Sequence, residues 1–143
     1  MVNDVIADPL AVANELRPVL LRLSRQLRKE TEQLGVTSRQ VTLLWLIRGH
    51  PRLSLRELAA EEGISAPALS GHVDRLEKAG LIERVRDEDD RRRVGLSLTD
   101  EGERLLKRVR ARRTTWLADR LRGLEDDEIE AIERAIEPLG RLL

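Results

Sequence analysis

Residues 54–102 read SLRELAAEEGISAPALSGHVDRLEKAGLIERVRDEDDRRRVGLSLTDEG, and the order of patterns within them decides the architecture. Ser54-Leu55-Arg56-Glu57 has the form of a capping box, in which hydroxyl and carboxylate each satisfy an N–H that the first helical turn leaves unpaired. Leu55, Leu58 and Ala59 face inward from that helix, and Gly63 breaks it after Glu62. Ser65 caps the next helix, with Pro67 in its first turn. Leu69, Val73, Leu76 and Gly80 step by four, three and four along one helical stripe, which Gly80 also ends. Leu81 to Arg86 reads as a strand, and Val94-Gly95-Leu96-Ser97-Leu98 alternates with period two. Between them, Asp87 to Arg93 is too polar to bury, so the strands form a hairpin with a charged tip.

Working outward, Thr37-Ser38-Arg39-Gln40 is another capping box. It opens a helix with Val41, Leu44, Trp45 and Ile47 inward, closing near Gly49. Before it, Leu16, Leu20, Leu23 and Leu27 mark a long helix from about Asp8 to Leu34, with Asp8-Pro9 at its start and Gly35 after its end. Pro18 predicts a kink or a restart within it. Downstream, Thr99-Asp100-Glu101 caps a helix running to about Gly123, with Leu105, Val109, Trp116 and Leu117 on its inner side. A last helix, about Asp126 to Leu143, carries Ile129, Ile132, Ile136, Leu139 and Leu143 at spacings of three and four. The fold class is therefore mainly α with one small β-hairpin. Helix, short helix, glycine turn, helix and hairpin make up a winged helix-turn-helix, the hairpin being the wing.

Composition narrows the chemistry. The chain has 143 residues, with 26 Lys+Arg against 26 Asp+Glu, and 41% of its residues are hydrophobic. That length suits one domain with an appended interface layer. With no cysteine, there is no disulfide framework, thiol nucleophile or cysteine-built zinc site. With two histidines, a metal site would rest mainly on carboxylates; nothing converges on the acidic run Asp87 to Asp90 from elsewhere, so no metal or cofactor is expected. No apolar run approaches the ~20 residues of a membrane span. The first ten residues carry Asp4 and Asp8 without a basic start, unlike a signal peptide. The expected setting is cytoplasmic, away from membranes. Without Phe or Tyr, the chain has no aromatic surface for stacking single-stranded bases. Charge is unevenly placed: Arg104 to Arg122 holds eight basic residues and one acid, whereas Glu125 to Glu137 holds seven acids and one base.

Two motifs carry a family resemblance. Leu76-Glu77-Lys78-Ala79-Gly80-Leu81-Ile82-Glu83-Arg84 resembles the end of the recognition helix in MarR-type transcriptional regulators. Asp90-Arg91-Arg92-Arg93-Val94-Gly95-Leu96-Ser97-Leu98-Thr99-Asp100-Glu101-Gly102 resembles their wing and the helix start that follows. The resemblance covers essentially the whole chain. It implies a dimerisation helix in residues 1–36, a DNA-binding domain in 37–99 and dimerisation helices in 100–143. It also implies a homodimer on a pseudo-palindromic double-stranded DNA site, usually a repressor, released by a small aromatic or anionic ligand.

At 100° per residue, with Leu69, Val73 and Leu76 inward, Pro67, Gly71, Asp74 and Lys78 point most directly outward. Ala68 and Ser70 flank that line and Arg75 lies beside it. The candidate DNA-binding residues are Ser65, Ala66, Pro67, Ala68, Ser70, Gly71, His72 and Arg75 on this helix, Ser38 and Arg39 at an earlier helix start, and Arg91, Arg92 and Arg93 on the wing. Guanidinium groups suit a narrow minor groove, where negative potential is enhanced, and Asp90 is expected to orient one of them. A small, donor-poor helix start fits close approach to DNA, or is simply a small surface. His72 is either a phosphate contact or a partly packed surface residue. Trp45 and Trp116 are plain core or, by the resemblance, line a ligand cleft between the layers. The basic stripe Arg108 to Arg113 is a solvated face, a partner for the acidic last helix, or an attractor of DNA or an anionic ligand. Leu16, Leu20, Ile129, Ile132, Ile136 and Leu139 are the candidate dimer interface, because the last helix's stripe is too long for a small core to cover.

Two other function classes remain for comparison. A winged-helix protein–protein interaction module would not need the wing arginines. An enzyme would need acid–base or nucleophilic groups that this composition does not bring together, so none is expected.

Overall fold

The computed structural model describes residues 6–90 and 92–143. Six helices and a hairpin follow in the order α1 (Pro9–Glu32), α2 (Ser38–Gly49), α3 (Leu55–Glu62), α4 (Ala66–Lys78), β1 (Ile82–Arg86), β2 (Val94–Leu98), α5 (Asp100–Leu121) and α6 (Asp126–Gly140).

The helix starts are chemical. The Asp8 carboxylate accepts from Leu10 N at 3.2 Å. Thr37 and Gln40 exchange reciprocal bonds at 2.9 and 3.1 Å, the complete capping box read from the sequence. Ser65 Oγ accepts from Ala68 N at 3.2 Å. The box at α3 is only half formed, because the Glu57 carboxylate is taken by the Ser54 hydroxyl and by Arg93 of the hairpin instead of reaching the Ser54 N–H. Gly63 ends α3 at φ 68°, a left-handed conformation that glycine adopts without a Cβ clash, and this turns the chain into α4.

The core gathers Val41, Leu43, Leu44 and Ile47 of α2, Leu58 and Ala59 of α3, Leu69, Val73 and Leu76 of α4, Ile82, Leu96, and Leu105, Leu106 and Val109 of α5. Ile82 and Leu96 are the hairpin's contribution, in an antiparallel register that pairs Ile82 with Leu98 and Arg86 with Val94. The first turns of α5 thus lie in the same core as α2 to α4, and farther along α5 packs on α1.

Several sequence expectations are corrected. Pro18 lies inside an uninterrupted α1 rather than at a restart. Gly80 is exposed and left-handed at φ 76°, so the α4 stripe ends at Leu76. Leu43 and Leu106 are buried although neither lay on the predicted stripes, because α2 and α5 are each packed on more than one side. Leu117 is exposed, because α5 has passed the end of the core by that turn. The helix α6 buries no residue of its own. Among the described residues, no helix is long and apolar enough to cross a membrane, and no group of three potential metal ligands converges.

Candidate nucleic-acid interface

The start of α2 lies near α4, with Arg39 in the field of His72, and β1 of the hairpin packs against α4. Ala66, Pro67 and Ala68 are exposed, while Ser70, Gly71 and His72 are half-buried; Gly71, expected on the outward line, has the Arg75 guanidinium beside it. The inward stripe Leu69, Val73 and Leu76 clamps α4 against the core, and this fixes which face looks out.

His72 and Arg75 are joined. Arg75 Nη2 donates to His72 Nδ1 at 2.8 Å. Partial burial, followed by the neighbouring charges of Arg75 and Arg39, holds the imidazole pKa below its ordinary value. This favours the neutral ring, whose Nδ1 accepts from Arg75. Arg39 is exposed at the start of α2 and close enough to contribute to that field, so it lies beside α4; Ser38 next to it is half-buried.

The hairpin is tied to its neighbours by side chains that local pattern did not reveal. Arg84 of β1 bonds Asp74 at 2.9 Å and Glu77 at 3.1 Å, engaging both carboxylates of α4. Arg93 bonds Glu57 of α3, and this guanidinium, followed by the Ser54 hydroxyl, keeps the Glu57 carboxyl below the ordinary carboxylate range. Arg93 is thus engaged at the base of the wing. Arg92 is exposed at the tip. Its N–H donates to the Asp90 carboxylate at 3.1 Å, and the Arg93 N–H to the Asp90 carbonyl at 2.9 Å. Among the described residues, Asp90 shapes the turn through backbone groups rather than by orienting a guanidinium. Arg91 lies outside the described residues.

The two tryptophans do not share a cleft. Trp45 packs at the core's edge with the Arg48 and Arg110 guanidiniums 5.5 and 5.6 Å from its ring. Trp116, under Arg120 at 5.3 Å, lines a cavity of ≈ 490 Å³ between α1 and α5 together with Glu30, Leu34, Arg108 and Arg112. Among the described residues, the end of the basic stripe pairs with α1: Arg112 bonds Glu30 at 3.1 Å, and Arg113 donates to the buried Thr31 hydroxyl at 2.8 Å. Burial lowers the Arg113 pKa without uncharging it. Thr31 was missed in the sequence; its only signal was a small polar residue near the end of an apolar pattern.

On the outer faces, Leu16, Ile129 and Leu139 are half-buried, while Leu20, Ile132 and Ile136 are exposed, Ile136 to 63%. Leu10, Val12, Leu21 and Leu142 extend the exposed apolar set.

The comparisons agree with this geometry. The MarR family profile matches residues 36–94, which run from the entry to α2 to the start of β2. The HTH-type transcriptional regulator FarR of Neisseria gonorrhoeae is 38% identical over 87 residues, a match spanning 61% of this chain and 60% of that protein's length. The HTH-type transcriptional repressor MdtR of Bacillus subtilis is 32% identical over 80% of this chain and 74% of its own. The structure of a MarR family protein from Bacillus stearothermophilus superposes with a TM-score of 0.76 at 28% identity, covering 95% of this chain and 97% of that one. These relatives are named for transcriptional regulation, a non-enzymatic role. A winged helix-turn-helix whose sequence and fold match these regulators along most of the chain is a member of the MarR family of helix-turn-helix transcriptional regulators.

Proposed function

We propose that the protein is a homodimeric repressor that holds a pseudo-palindromic duplex DNA site and leaves it when a small ligand binds. The observation that carries DNA binding is the presentation of α4. Its start is small and exposed, its acids are engaged by Arg84, and the wing stands beside it. Ala66, Pro67 and Ala68 allow close approach to the major groove and apolar contact with thymine methyls. Ser65, Ser70 and the start of α2 with Ser38 and Arg39 meet phosphates or base edges. The wing arginines enter the minor groove. Titration against duplexes flanking the protein's own gene tests this reading. Binding should weaken steeply with salt as counterions are released. If no duplex binds, the protein–protein interaction module becomes the better reading.

Dimerisation rests on the apolar faces of α1 and α6. Single exposed leucines are ordinary, but a row along two helices marks a contact. Residues 1–36 and 100–143 supply this layer and 37–99 the DNA-binding unit, with the first turns of α5 serving both. Sedimentation at micromolar concentration should give a dimer. Ile136→Asp should give monomers that retain helical content but lose cooperative binding to half-sites ~10 bp apart. A wild-type monomer would reject this arrangement. Repression is supported by the name of MdtR, a relative at 32% identity.

The α1–α5 cavity has the chemistry for a small aromatic anion, with an indole to stack on and the Arg108 guanidinium to meet a carboxylate, Arg112 being engaged by Glu30. Saturating small aromatic carboxylates should shift tryptophan emission in the wild type and in Trp45→Leu, but not in Trp116→Leu. Emission unchanged in all three proteins would place the ligand elsewhere.

A further inference from the structure

The groove-facing start of α4 offers few donors, and Gly71 leaves a gap at the middle of the outward line. That gap is occupied from one turn away. Arg75 Nη1 lies 3.8 Å from where a Cβ on Gly71 would stand, and Arg75 Nη2 is bonded to His72 Nδ1 at 2.8 Å. These two distances place the guanidinium back over the preceding turn, the direction in which long helical side chains lean. We infer that Arg75, positioned by His72 across the space left by Gly71, reads a guanine in the major groove and is the specificity-determining residue of α4. This rests on the DNA-binding reading above and deepens it.

The partner matters as much as the place. Asp74 and Glu77 are the acids nearest along α4, and Arg84 engages both, at 2.9 and 3.1 Å. Arg75 is therefore bonded to a neutral ring instead of a carboxylate, and its full charge stays available. His72 is half-buried, so it has little freedom to swing away. Arg75 can only donate, so the bond makes Nδ1 the acceptor, and the lowered imidazole pKa favours that neutral form. A guanidinium carries five N–H donors, and one is committed to His72, which leaves a forked pair for an incoming base. Guanine alone presents two adjacent acceptors, O6 and N7, on its major-groove edge; adenine replaces O6 with a donor. A methyl at position 71 would be tolerated beside Arg75, whereas a longer side chain would expel it.

The test is selection from a pool of random duplexes, followed by affinity ratios between the selected site and one in which each half-site guanine is replaced by adenine. The wild type should show a ratio of about tenfold or more. Arg75→Lys keeps the charge, so its salt dependence should stay near wild type while the ratio falls toward one. Gly71→Leu should act the same way by displacing the guanidinium. His72→Phe should lower the ratio several-fold, and His72→Gln, whose side-chain oxygen can accept, should restore most of it. Unchanged thermal melts establish that the variants are folded. A selected site with no guanine in either half, or an unchanged ratio in Arg75→Lys, overturns the inference and leaves DNA binding standing. A wild type that enriches no duplex overturns both.

Discussion

Gly102→Ala is expected to lower stability by about 3 kcal/mol, at the upper end for adding one methyl to a packed interior. Gly102 is buried in the first turn of α5. A Cβ there would overlap the Leu81 carbonyl oxygen, and would stand 3.2 Å from the Leu81 carbonyl carbon and 3.3 Å from Leu98 Cγ. The obstacle is backbone, so no rotamer change relieves it. That backbone is also held: Thr99 N donates to Leu81 O at 3.0 Å, and Thr99 Oγ1 donates to Gly80 O at 2.6 Å. Helix propensity alone points the other way, since alanine gains on glycine by about 1 kcal/mol in a helix. The sign therefore reports the tertiary contact. Urea unfolding should give a lower midpoint at unchanged slope. A midpoint at or above wild type would mean that α5 does not press on the α4–β1 junction.

Removing Arg91 and Arg92 together should weaken binding to the selected duplex by about a hundredfold and reduce the magnitude of the salt slope by roughly two units, one for each phosphate-region cation. Sequence alone left three adjacent arginines equivalent. Arg93 is engaged by Glu57 while Arg92 is exposed, which leaves Arg92, with Arg91, as the proposed groove contacts. Arg93→Ala should therefore act on wing position. Its effect should be reproduced by Glu57→Gln, which adds no charge to the tip and removes one acid. If affinity and salt slope survive loss of Arg91 and Arg92, the wing does not reach DNA, and the interaction-module reading regains its place.

The legible parts of this chain are those governed by neighbours in sequence. Thr37 with Gln40, Ser65 before Pro67, and Gly63 after Glu62 announced their helix boundaries, because caps and left-handed turns are satisfied within a few residues. The period of Leu69, Val73 and Leu76 set the outward face of α4, because a helix repeats at 3.6 residues whatever it packs against. The charged hairpin tip was legible for the same local reason. Partners distant along the chain were not. Glu57 reads as a complete cap until Arg93 arrives from across the fold. The stripe around Arg112 and Arg113 could have met α6, and met α1 instead. Trp45 and Trp116 share an aromatic character and nothing in position. Sequence by itself determined the elements, their order and the inward stripe of α4, through short-range hydrogen bonding and periodicity. The tertiary structure alone decided which charges pair, that Arg93 is engaged by Glu57 and why Gly102 must be glycine, since those depend on the distance between elements, which no local pattern encodes.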